Sequence, residues 1–80
     1  MAANNPRTNN SAKLGARLRQ RRRELGLNQT EVAELAGCSL SFVHMLESGK
    51  ATVRLNKLLD VADVLGLRLE LVGPGDESSA

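Results

Sequence analysis

Residues 29–49, QTEVAELAGCSLSFVHMLESG, decide the fold. Counted from Gln29, the fifth residue is Ala33, small enough for a second helix to cross closely. The ninth is Gly37, which accepts the positive φ of a tight turn. The fifteenth and eighteenth are Val43 and Leu46, apolar and three apart, so they share one helix face. These four spacings together describe two short helices crossing at a tight turn. The second helix of such a helix-turn-helix enters the major groove of DNA. The competing reading is an ordinary αα-hairpin within a helical bundle.

Capping chemistry sharpens the boundaries. Asn28 with Glu31 forms a capping-box variant before a helix over 29–36, and Leu27 and Val32 can staple it. Val32, Leu35 and Ala36 are expected to face inward. Ser39 caps a helix over 40–47, stapled by Cys38 and Val43, and Gly49 ends it. Cys38 reads as a small buried hydrophobe. Upstream, Leu14, Leu18 and Leu25 form the apolar stripe of a helix over 12–25, closed by Gly26. Downstream, Leu55, Leu58, Leu59, Ala62 and Leu65 predict a helix over 54–65, closed by Gly66. Val61 and Val64 fall off that stripe and are expected to face a partner.

At Leu67 the period changes from helical to alternating. In LRLELV, Leu67, Leu69 and Leu71 share one face, and Arg68, Glu70 and Val72 the other. A lone strand cannot satisfy its own backbone, so pairing with the same strand of a second copy about a two-fold axis is expected. The competing reading is an extended tail packed on the last helix. The domain expectation is a disordered arm over 1–11, a helix-turn-helix domain over 12–66, a dimerising strand over 67–73 and a disordered tail over 74–80. The arm would carry Arg7 toward phosphate.

Composition limits what so short a chain can do. Chains near 80 residues bury roughly 60% of their unfolded surface, so oligomerisation is expected to supply stability. With one Phe and no Trp or Tyr, the core must be Leu, Val and Ala. An enzyme is not expected: the one histidine, His44, lies on the second helix of the motif, and no nucleophile–base pair or phosphate loop is present. No Cys or His stands at metal-ligand spacing, so neither a metal nor another cofactor is expected. The chain lacks a charged leader ahead of an apolar run and any stretch of roughly 18 apolar residues, so a cytoplasmic location without membrane contact is expected.

The net charge of +2 conceals an asymmetry. Residues 1–30 hold seven Lys and Arg against one acid, and residues 31–80 hold four against eight. Beside a helix-turn-helix, the run RQRRR at 19–23 supports a polyanionic partner.

With the elements placed, the stretch from LGARLRQRRRELGLNQTEVAELAG through CSLSFVHMLESGK to VADVLGL, residues 14–67, resembles the phage-repressor-like, or XRE, helix-turn-helix regulators. The LRLELVG segment is most similar to HipB-type antitoxins. The resemblance implies an all-α fold: a four- to five-helix lambda-repressor-like domain with one short C-terminal β-strand pairing across a dimer. It also implies an autorepressing antitoxin that binds double-stranded operator DNA as a homodimer and holds a HipA-type kinase toxin. The chain lacks the longer C-terminal tail of some such antitoxins. Two other functions compete: a stand-alone repressor without a toxin, and a protein-interaction adaptor using the basic helix.

By position, the resemblance gives Gln29 the role of reaching the DNA backbone, and makes Leu40, Ser41 and Met45 the base-reading residues. Leu40 and Met45 are apolar where other members carry amides, so they would meet thymine methyls. Ser41 and His44 would donate to or accept from a base edge or phosphate. Core packing is the alternative for Met45, and a solvated surface the alternative for His44. Asn28, Ser39, Ser48 and Lys50 complete the DNA-side set. Arg22 and Glu47 match a family ion pair that orients the recognition helix and turns Arg22 toward phosphate. The alternative is an exposed pair worth under about 1 kcal/mol. Val61, Val64, Leu67, Leu69 and Leu71 form the expected dimer interface.

Overall fold

The computed structural model describes residues 6–50 and 52–75, which form four helices: α1 (Pro6–Glu24), α2 (Gln29–Ala36), α3 (Leu40–Glu47) and α4 (Leu55–Val64). Helix α3 packs on both α1 and α2, and α2 also packs on α4. Leu18, Val32, Ala33, Val43, Leu46, Leu58, Val61 and Leu65 make the buried core where these faces meet. No helix among the described residues is long and apolar enough to cross a membrane.

The motif's turn forms as its residues require. The Asn28 side chain accepts from the Glu31 N–H at 2.8 Å, and the Glu31 carboxylate accepts from the Asn28 N–H at 2.8 Å, so the capping box is complete. Gly37 sits at φ 70°, in the left-handed region where a side chain would be strained. Beyond it, the Cys38 N–H donates to the Ala33 carbonyl at 3.0 Å and closes the helix end. The Ser39 hydroxyl caps α3 by accepting from the Phe42 N–H at 3.0 Å. Ala33, Val43 and Leu46 are all buried, as their spacing requires. Cys38 is half-buried against the core, and burial pushes its thiol pKa up, so it remains a protonated apolar filler.

Several sequence expectations need correction. Helix α1 begins at Pro6, not near residue 12, so residues 6–11 of the expected arm are helical. Proline tolerates a first helical position because the missing N–H has no partner there anyway. Residues 1–5 and 76–80, which carry the rest of the arm and most of the expected tail, lie outside the described residues. Leu25 and Leu35, expected inside, are exposed.

The inward face of α4 is also rotated. Leu58, Ala62 and Leu65 face the core as expected, joined by Val61 at 2% exposure, while Leu55 and Leu59 are exposed. At 100° per residue, Val61 and Leu55 lie about 60° to either side of the common stripe. Both flanks are apolar, so the pattern alone leaves the roll of the helix open. Val61 is therefore a core residue and not a partner contact, and Val64 is half-buried against the same core.

Beyond α4 the described residues include no strand. Leu67 packs on the core, and its N–H donates to the Ala62 carbonyl at 2.8 Å. Arg68 and Glu70 form an exposed ion pair at 3.0 Å, two residues apart, the spacing at which side chains of an extended chain share a face. On the other side, Leu69 and Leu71 are exposed, and no hydrogen bond to a described residue holds their backbone.

Candidate nucleic-acid interface

Helix α3 is fixed on one side and bare on the other. Val43 and Leu46 lock it into the core, which turns Leu40, Ser41 and His44 outward. Met45 is half-buried at the edge of that surface. At the helix end, Ser48 and Lys50 are exposed. The Ser48 hydroxyl donates to the Met45 carbonyl at 2.9 Å, and the Lys50 N–H donates to the same carbonyl at 3.1 Å. These bonds tie down the backbone after α3 and leave the Lys50 ammonium in solvent. Ser39 and Asn28, the two caps, lie at the N-termini of α3 and α2.

One ion pair sets the orientation of this surface. Arg22 on α1 and Glu47 at the end of α3 meet with both ends of the guanidinium fork engaged. Nε donates to Oε2 at 2.6 Å and Nη2 to Oε1 at 3.0 Å. Arg22 Nη1 donates to the Leu27 carbonyl at 2.9 Å, which reaches into the loop before α2. Gln29 Nε2 donates to Glu47 Oε1 at 3.0 Å. One carboxylate thus gathers α1, α2 and α3. The side chains are 11% and 6% exposed, so this is the buried member of the two alternatives. Burial pushes the Glu47 carboxyl pKa up. Hydrogen bonds from Arg22 and Gln29, with the charges of Arg22 and Arg19, outweigh that and hold it below the usual carboxylate range.

This arrangement alters two expected roles. Arg22 has Nε, Nη1 and Nη2 all committed inside the protein, so its fork is not turned toward solvent. Gln29 is half-buried and spends one amide N–H on Glu47.

A residue that spacing arguments passed over is Gly15. A Cβ built there would lie 2.5 Å from the Leu46 carbonyl oxygen and 2.8 Å from that of Glu47. The absent side chain is what lets α1 approach the end of α3. Its sequence signal is a lone glycine inside a helical pattern, which marks close backbone approach. Arg19 and Arg23 likewise stay undistinguished in the sequence, within a run in which Arg22 alone is singled out.

Residues 13–73 match the helix-turn-helix domain family. The chain belongs to that family. It is 40% identical over 65 residues to the uncharacterized HTH-type transcriptional regulator y4mF of Sinorhizobium fredii, an alignment covering 81% of this chain and 86% of the relative. A second HTH-type transcriptional regulator of that organism, y4dJ, is 36% identical over 66 residues, with the same two shares covered.

Proposed function

We propose that the protein is a sequence-specific, DNA-binding transcriptional repressor that acts as a homodimer. The observation that carries this is α3. Two buried residues and one buried ion pair fix it, and it presents Leu40, Ser41 and His44 to solvent. The major groove, about 12 Å wide, admits such a helix. The family and its two transcriptional-regulator relatives support the DNA-binding part.

Ser41 and Lys50 test it by failing differently. Ser41 stands where base edges are read, so Ser41→Ala should change discrimination among operator variants by about 1 kcal/mol or more. Lys50 is placed for phosphate, so Lys50→Ala should weaken all duplexes about equally and lower the salt slope by about one. If Ser41→Ala binds every operator variant as the parent does, α3 is not the reading helix.

The homodimer rests on residues 67–72. Leu69 and Leu71 are exposed there, and pairing as a strand with the same segment of a second copy would cover them and complete a two-stranded ladder. The HipB-type antitoxin role, with a HipA-type kinase toxin as partner, rests on the resemblance. Val61, which the sequence pattern offers to a partner, lies in the core and adds no support to it. Co-expression with the neighbouring gene product, followed by gel filtration, reads both claims. The free protein is expected to elute as a dimer, and Leu69→Pro, which removes a ladder donor, as a monomer. A dimeric Leu69→Pro variant rejects the strand pairing. If no complex survives and the neighbour does not inhibit growth, a stand-alone repressor replaces the antitoxin.

A further inference from the structure

The arginines of α1 are of two kinds. Arg21 and Arg22 belong to the fold: Arg21 Nε donates to the Leu65 carbonyl at 2.9 Å and its guanidinium lies 3.5 Å from Glu24, while Arg22 holds Glu47. Arg19 and Arg23 are exposed, and neither makes a side-chain hydrogen bond or ion pair with a described residue. They are four apart, so they lie side by side on one face.

That face borders the recognition helix. Arg19 and Arg23 line a cleft of about 570 Å³ together with Gln20, Glu24 and Glu47. Arg19 and Glu47 also wall a smaller cleft of about 130 Å³, completed by Gln29, His44 and Ser48. The shared wall makes one path from the exposed end of α3 along α1.

Charge balance decides what this path can hold. It contains two carboxylates, and both are already matched: Glu47 takes two bonds from Arg22 and one from Gln29, and Glu24 lies against Arg21. Arg19 is near enough to lower the Glu47 pKa by its charge, yet forms no hydrogen bond with it. Two guanidinium forks are left over on a concave surface, the chemistry that binds phosphate oxygens bidentately.

We propose that Arg19 and Arg23 grip neighbouring backbone phosphates of the DNA strand beside the groove that α3 enters. They take the phosphate role that the buried Arg22 cannot fill. This rests on the DNA-binding reading and adds to it a contact strip on α1. The strip carries no sequence information, because phosphate contacts position a protein without reading bases.

The test uses the full chain and a mixed-sequence duplex of roughly three helical turns, with binding followed by anisotropy between about 50 and 200 mM salt. Arg19→Gln and Arg23→Gln should each lower the slope of log affinity against log salt by about 0.9, and the double variant by about twice that. Near 0.1 M salt this amounts to roughly eightfold weaker binding per arginine. Arg17→Gln, exposed on α1 but outside both clefts, should keep the parent slope. Arg19→Lys with Arg23→Lys should largely keep it too, because the charge remains. Thermal melts should stay close to the parent in every case, since both arginines are exposed and neither is hydrogen-bonded to a described residue. A parent slope retained by the Gln double variant, with the unsubstituted protein steeply salt-dependent, overturns the proposal alone. An unsubstituted protein with no salt-dependent duplex binding overturns the DNA reading as well.

Discussion

Glu47→Ala is expected to destabilise the protein by about 3–5 kcal/mol, because Arg22 then keeps its charge in a buried position without a counter-ion. At roughly 0.05–0.15 kcal/mol per residue, a domain of this length has about 4–12 kcal/mol in total. The variant should therefore lose a quarter or more of its stability and melt roughly 12–40 °C lower than the parent. Arg22→Ala should cost a similar amount, and it strands Glu47 together with the Leu27 carbonyl. The double change Arg22→Met with Glu47→Leu tests the cause. It removes both charges and keeps apolar volume, so much of the stability should return. DNA affinity should not return with it, because the bonds that tie α3 to α1 and α2 are gone. Urea melts and duplex titration read the two effects separately. A Glu47→Ala loss below about 1 kcal/mol would mean that water reaches the pair in solution.

The same pair sets an acid limit. The Glu47 carboxyl titrates below its ordinary range in the fold, while in the unfolded chain it has the usual value of about 4.3. Its contribution is complete above the unfolded value and disappears as the pH falls through the folded one. Between about pH 5 and 8 this group should therefore add no slope to stability, and below about pH 4 stability should fall steadily. Glu47→Gln should lack that acid limb, although it is weaker at neutral pH.

The residues that carry local chemistry made the motif legible. Asn28, Glu31, Gly37 and Ser39 are caps and turns whose partners lie within a few residues, so the bounds of α2 and α3 follow from short-range rules. The roll of α4 was not legible, because Val61 and Leu55 flank the common stripe equally and only packing against α2 selects between them. Nor was the division of labour in RQRRR beyond Arg22, which the resemblance pairs with Glu47, 25 positions away. The other arginines look alike in sequence, yet Arg21 meets a carbonyl 44 positions away. That partner exists only once the helices have docked. Arg19 and Arg23 become visible as unmatched charge by the same docking.

Gly15→Ala is the second substitution expected to have a large effect, and two opposing terms decide its sign. In a helix interior, alanine is favoured over glycine by about 0.5–1 kcal/mol, so on an isolated helix the change would stabilise. Here the new Cβ would sit 2.5 and 2.8 Å from two carbonyl oxygens and 3.0 Å from the Glu47 carbonyl carbon, all of them backbone atoms of α3. Backbone cannot rotate aside as a side chain can, so α1 and α3 must separate. Overpacking of this kind costs typically about 1–3 kcal/mol, and these contacts are closer than real Cβ atoms tolerate. The steric term should win, leaving a net loss of about 1–2 kcal/mol, which for a domain of this size lowers the melting temperature by roughly 4–16 °C. Gly15→Val should do worse, because its branched side chain adds bulk and lower helix propensity. The damage should also reach function, since the separated helices are the ones bridged by Arg22 and Glu47. Duplex affinity should therefore fall even at temperatures where circular dichroism finds the variant folded. A Gly15→Ala protein that melts higher than its parent would show that helix propensity prevails, and that α1 and α3 stand farther apart in solution than a Cβ requires.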